Sequence, residues 1–174
     1  MLKHFIGDTI LLTKYNELTK DLSQTYKDGP CVCFAGQHGV GKSFLVTNIL
    51  KRAIEKSYSG LYVNLQDIVS MIVSPENEDK SIARNELNRV DFLVIDEFDG
   101  RHMGSGAGID LYGRTLEGIF RTRCQNNLPT FFCSNSPNLS EIFQGPLKIS
   151  FNSLMNYMEV VTPLGKDFRK MEKK

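Results

Sequence analysis

The segment Gly36-Gln37-His38-Gly39-Val40-Gly41-Lys42-Ser43 brings three glycines, a lysine and a hydroxyl together within eight residues. Each type meets a requirement for holding a polyphosphate. Glycines let the backbone curl so that successive N–H groups face an anion, where side chains would obstruct its approach. A helix starting near Gly41 adds the positive end of its dipole to the same place. Lys42 then reaches the β- and γ-phosphates, the Ser43 hydroxyl ligates Mg²⁺, and Phe44 follows in the first helical turn beside the nucleotide. The pattern G-x-x-x-x-G-K-[ST] can arise by chance as an ordinary strand–turn–helix connection. Here it lies between an apparent strand and an apparent helix, which is the context the chemistry requires. His38 occupies a tolerant position and needs no chemical role.

A second group of residues complements the first. In Phe92-Leu93-Val94-Ile95-Asp96-Glu97 four apolar residues lead to two acids. That order places Asp96 at the C-terminal tip of a buried strand, where open α/β sheets bind ligands. Asp96 can hold Mg²⁺, usually through water, and Glu97 can polarise the attacking water. A carboxylate base beside the metal separates a hydrolase from a passive nucleotide binder; the plainer alternative is a strand capped by two solvated acids. Ser134-Asn135 follows a further apolar run, and the Asn135 amide, able to donate and accept, suits a water-orienting role. Ser-Asn-Ser-Pro would also make an ordinary turn.

Positioning these groups requires strands that alternate with helices. Leu11, Tyr15, Leu18, Leu22 and Tyr26 mark one face of a helix that ends at Lys27-Asp28-Gly29-Pro30. Cys31–Ala35 reads as a buried strand and Lys42–Lys56 as a helix with Phe44, Leu45, Ile49, Leu50, Ala53 and Ile54 on its apolar side. Gly60–Leu65 is a second strand and Gln66–Val73 a short helix. The polar stretch Ser74–Lys80 reads as exposed, since it cannot bury enough apolar surface to offset its ordering. Arg84–Arg89 reads as helical, Phe92–Ile95 as a third strand, Gly100–Gly108 as a mobile glycine-rich loop, and Leu111–Asn126 as a helix. Thr130–Cys133 and Met158–Thr162 are the remaining strands, with a helical segment near Ser153–Tyr157 between them. The alternation predicts one α/β domain with a mostly parallel sheet. Residues 1–29 form a helix preceding or packed on the core, and 30–174 form the core itself.

Bulk properties agree with one ordinary globular unit. The chain has 174 residues, 41% hydrophobic and 24% charged, which is enough for one real core. With 21 basic against 20 acidic groups the net charge is +1, so any nucleic-acid contact depends on a local patch. Cys31, Cys33, Cys124 and Cys133 form no CxxC pair and have no histidine cluster beside them, which argues against zinc. They read as small buried residues of a reduced intracellular protein. No apolar run approaches the roughly 20 residues that span a bilayer, and Lys3 is followed by no signal-peptide core. The expectation is a cytoplasmic protein that does not engage membranes.

Together the phosphate loop, the Asp-Glu strand end and the strand ending in Ser-Asn resemble an AAA+ ATPase of the P-loop NTPase class. Leu128–Asn135 and Gly165-Lys166-Asp167-Phe168-Arg169 resemble more narrowly the DnaC/IstB group of replicative helicase loaders and transposase-helper ATPases. The resemblance covers about residues 30 to 170. It implies a five-stranded sheet of order 5-1-4-3-2 flanked by helices, without a full C-terminal lid domain. It makes Asn135 a first sensor and Arg169 a second sensor touching the nucleotide phosphates. It also implies ATP bound at a subunit boundary, hence homo-oligomers, with single-stranded DNA and a replicative helicase or transposase as partners.

Two departures from the group's pattern stand out. Members usually carry an arginine finger in a Ser-Arg-Leu-like segment, whereas Ser150-Phe151-Asn152-Ser153-Leu154 has none. Arg114 and Arg121, seven residues apart on one helix, are candidate substitutes acting on a neighbour's ATP, or simply a solvated face. Without a finger in trans, hydrolysis is expected to be slow. Loaders also carry a helicase-binding region ahead of the ATPase domain, where only about thirty residues stand here. Candidate DNA contacts are Lys80, Arg84, Arg89 and Arg101, beside His102 and the basic tail Lys166–Lys174; scattered solvated charges are the alternative. The functional expectation is therefore an ATP-hydrolysing helicase loader in DNA replication. The alternatives are an IstB-like transposition helper and a nucleotide-gated DNA-binding protein with negligible turnover. A small-molecule kinase fits less well, because Asp96-Glu97 with Asn135 suits activation of water and no basic lid segment is evident.

Overall fold

The computed structural model describes residues 2, 5–73, 77–99, 109–139, 151–152, 154–165 and 167–168. Three strands are apolar enough to be buried along their whole length: β1 (Cys31–Ala35), β3 (Phe92–Asp96) and β4 (Thr130–Ser134). Burial on both faces is the environment of a central parallel strand. With β2 (Gly60–Asn64) and β5 (Glu159–Val161) at the edges they form one sheet of order β2-β3-β4-β1-β5, every pairing parallel. This is the 5-1-4-3-2 order expected from the resemblance.

Alternation along the strands sends residues to two cores. Val32, Phe34, Phe92, Val94, Phe131 and Cys133 face α1 (Thr9–Lys20), α2 (Leu22–Asp28) and α3 (Lys42–Glu55). Cys31, Cys33, Ala35, Leu93, Ile95 and Phe132 face α4 (Leu65–Val73), α5 (Asn77–Arg89) and α6 (Ile109–Gln125). Cys31 and Cys33 thus share one face, as their spacing requires. No described helix is long and apolar enough to cross a membrane.

Two elements differ from the sequence reading. The apolar stripe from Leu11 to Tyr26 belongs to two helices. Asp21, extended at φ −138°, caps α2 by accepting from the Ser23 and Gln24 amides at 3.0 and 3.1 Å. Leu18 and Leu22 are both buried across the break, so the hydrophobic period does not register it. The second difference is at 77–83, where α5 begins rather than at 84. Leu87 anchors its last turn in the core.

At the N-terminal edge of the sheet lies a fully buried cation. Arg123 of α6 donates to the carbonyls of Leu87 (2.7 Å), Val90 (2.9 Å) and Pro129 (3.1 Å) and to the Thr130 hydroxyl (3.0 Å). One guanidinium therefore joins the end of α5, the approach to β3 and the start of β4. Burial lowers its pKa to about 10, so it remains charged at neutral pH.

Candidate functional site

The strand register decides where the two sequence motifs meet. Ala35 is level with Ser134, and Leu93 with Thr130. Continued along the strands, that register brings Glu97 level with Ser134. The phosphate loop, Asp96-Glu97 and Asn135 therefore emerge together at the C-terminal edge. Only β4 separates β1 from β3, so the loop and Asp96 stand about 10 Å apart across the sheet. A metal-bound polyphosphate is of a size to span that interval.

The loop begins where the Gly36 amide donates to the Ser134 carbonyl at 3.1 Å. A Cβ on Gly36 would lie 2.6 Å from Cγ of the buried Pro163, so the backbone needs glycine there. Gly41 has φ +99°, a conformation open chiefly to glycine, and it passes directly into α3. Lys42 is only 5% exposed, with its ammonium donating to the Gly36 and Gln37 carbonyls at 2.7 Å each. Burial raises the Cys33 and Cys133 thiols, and the nearby Lys42 charge partly opposes that rise. Ser43 and Phe44 are exposed at the first turn of α3.

Two segments remote in sequence grip this loop: the one at Phe168 adjoins Arg169, which the resemblance places in the site, whereas the one at Asp8 was not expected there. The Asp8 amide donates to the Val40 carbonyl at 3.2 Å, and the Phe168 amide to the Gly39 carbonyl at 3.1 Å. Because peptide groups are planar and trans, the N–H groups of Val40 and Gly41 point away from both segments. The Phe5 ring lies against Gly41 and stacks on Phe44 with centroids 5.9 Å apart. Asp8 had a readable signal: it caps α1 through the Ile10 amide at 2.8 Å, an acid just before an apolar-periodic run. Phe5 had none.

On the acidic side, Asp96 is 8% exposed while Glu97 is exposed. Asp96 Oδ1 accepts from the Glu97 amide at 2.8 Å, and Oδ2 accepts from the hydroxyl of Tyr62 on β2. Partial burial and then the bond to Asp96 raise the Tyr62 phenol well above its ordinary pKa. No sequence motif marks Tyr62; the β2–β3 register brings it there. Glu97 has φ +52°, which turns the chain sharply as it leaves the sheet. The Phe98 amide then donates to the Cys133 carbonyl at 2.8 Å, tying this turn to β4 beside Asn135. Asn135 is half-buried.

Among the described residues no three His, Cys, Asp or Glu side chains gather to hold a metal by themselves. The donors fit Mg²⁺ in the one arrangement suited to it: a hydroxyl, a carboxylate, water and phosphate oxygens. Arg169, Arg101 and the Lys80 side chain lie outside the described residues. Arg84 and Arg89, the candidate DNA contacts beside the polar stretch 74–80, are exposed on α5. Arg114 is exposed on α6, and Arg121 forms an ion pair with Glu117 one turn before it.

The chain is 28% identical over 134 residues to the replicative helicase loader DnaI of Bacillus subtilis (strain 168), covering 75% of this chain and 42% of that protein. A crystal structure of DnaI superposes with TM-score 0.73 at 19% identity, covering 92% of this chain and 88% of that one. The fold is that of an AAA+ P-loop domain. The replication initiator DnaA, bound to AMPPCP and single-stranded DNA, superposes with TM-score 0.68 at 18% identity, covering 94% of this chain and 48% of that one. No family model matches the chain. The AAA+ domain seen here spans about two fifths of the length of its curated relative.

Proposed function

We propose that this AAA+ domain binds ATP with Mg²⁺, hydrolyses it, and acts in DNA replication as a helicase loader that contacts single-stranded DNA. The observation that carries the reading is the buried Lys42 ammonium, held under a glycine loop that leaves β1, with Asp96 at the same edge two strands away on β3. The similarity to a helicase loader, and to an initiator fold seen with an ATP analogue and single-stranded DNA, supports the biological half.

In this reading the loop amides and Lys42 bind the phosphates, while Phe5 and Phe44 flank the nucleotide. Ser43 and Asp96 would hold Mg²⁺, which supplies charge neutralisation at the β- and γ-phosphates. Glu97, exposed beside the partly buried Asp96, takes the proton from the attacking water, and Asn135 orients that water. Arg169, by the resemblance, serves as the second sensor for the nucleotide phosphates. A neighbouring subunit supplies the missing arginine through Arg114 or Arg121, so turnover is slow in the monomer. Lys80, Arg84, Arg89 and Arg101 provide phosphate contacts to DNA.

The test measures ATP binding and turnover with and without single-stranded DNA. Lys42→Ala should weaken nucleotide binding; unchanged affinity removes the phosphate-loop assignment. Glu97→Gln should bind ATP normally and lose turnover by about 10²–10⁴-fold, the usual contribution of a general base. A normal rate in that variant removes Glu97 from its role. A pull-down against a replicative helicase and a transposase decides the process.

A further inference from the structure

Tyr62 lies on the edge strand β2, level with Val94, and Asn64 is level with Asp96. Tyr62 and Asp96 are therefore diagonal neighbours on the same face of the sheet, a separation of about 7–8 Å between backbones that only long side chains bridge. A tyrosine at a sheet edge ordinarily turns its hydroxyl to water at no cost. Tyr62 is 41% exposed, yet its hydroxyl turns inward to Asp96 Oδ2. The other oxygen, Oδ1, accepts from the Glu97 amide. One donor on each oxygen fixes rotation of the carboxylate about its last bond. It leaves a lone pair on each oxygen for a metal-bound water.

We propose that Tyr62 is a positioning residue for the Mg²⁺ site, holding the Asp96 carboxylate in the orientation that accepts a metal-bound water. The inference rests on the ATP·Mg²⁺ reading above and adds to it a residue outside both motifs. It also makes the edge strand, which runs directly into α4, a wall of the metal site. Removing the hydroxyl frees the carboxylate to rotate; the aromatic ring keeps its packing.

The experiment titrates Mg²⁺ against binding of a fluorescent ATP analogue, with thermal melts run in parallel. Tyr62→Phe should leave Mg²⁺-free nucleotide binding and the melting temperature unchanged. It should raise the Mg²⁺ concentration for half-maximal effect by about tenfold, the size expected when a bond to a charged group is lost. In an Asp96→Asn background the same substitution should add no further change, because its effect passes through that carboxylate. A half-saturation within twofold of wild type overturns the inference while leaving the ATP reading intact. An equal effect in the Asp96→Asn background overturns it too. A wild-type chain that binds no nucleotide at any Mg²⁺ concentration removes both together.

Discussion

Arg123→Met removes the guanidinium that joins three segments at the N-terminal edge of the sheet. Methionine fills much of the same space and supplies no N–H, so the carbonyls of Leu87 and Val90 lose this donor, while that of Pro129 keeps only the Leu93 amide at 3.1 Å. Each buried acceptor left unmade costs about 1–3 kcal/mol. Part of that returns, because the variant no longer desolvates a cation, a cost of several kcal/mol in itself. The net loss should be about 3–5 kcal/mol, the usual outcome when one side of a buried ionic cluster is removed. For a domain of this size each kcal/mol moves the melting point by about 2–4 °C, giving a fall of about 6–20 °C in calorimetry or circular dichroism. Arg123 approaches the strands at the end opposite the phosphate loop. Affinity for an ATP analogue, measured well below the melting point, should therefore stay within twofold of wild type. A fall under about 3 °C would show that water or a neighbouring donor replaces the guanidinium. Weakened nucleotide binding in the folded variant would refute the separation of this clamp from the site.

Two further predictions concern backbone approach and charge. Gly36→Ala places a Cβ 2.6 Å from Pro163 Cγ, a rigid ring atom, so the loop or the 163 segment must move. The expected cost is about 1–3 kcal/mol with reduced nucleotide affinity, read by melting and by analogue binding; an unperturbed variant would show that the contact relaxes freely. Asp91 accepts from the Ser59 amide at 2.7 Å and its hydroxyl at 2.8 Å. Partial burial raises its pKa, but the Ser59 bonds, with Tyr26 and Arg123, outweigh that and hold it below 3.8. A depressed carboxylate pKa contributes stability above the ordinary value and loses it as pH falls through the folded one. Asp91→Asn should thus lower stability at neutral pH and flatten the acid limb below about pH 4 in pH-dependent melts. An unchanged acid limb would count against the Ser59 clasp.

What could be read without coordinates was whatever is local in the chain. The loop from Gly36 to Ser43 sits in eight consecutive residues, and Asp96 follows four apolar ones, so both were visible. Tyr62 is different: it joins the site through register, a relation between strands that no single segment records. Phe5 and Asp8 enter through packing of a remote segment onto the loop, again a relation of the folded state. The break at Asp21 was hidden because both helices bury the same stripe. Arg123 is the instructive case. It stands seven residues after Leu116 and three after Phe120, on the buried face of α6, and that spacing does mark it in the sequence. Arg114 and Arg121 drew attention for their charge, whereas the arginine that matters to the fold was the one aligned with leucine and phenylalanine.

Glu97 has a consequence for how this chain can evolve. A side-chain-bearing residue in the left-handed region costs about 1–2 kcal/mol relative to glycine, and Glu97 holds φ +52° at an exposed turn. Nothing about packing asks for glutamate there. Selection for heat tolerance alone would replace it with glycine or asparagine, yielding a sturdier protein without the base proposed above. A glutamate retained at this turn would be the signature of selection for turnover, and a lineage that drifted to glycine would be one that had kept the nucleotide and given up the reaction.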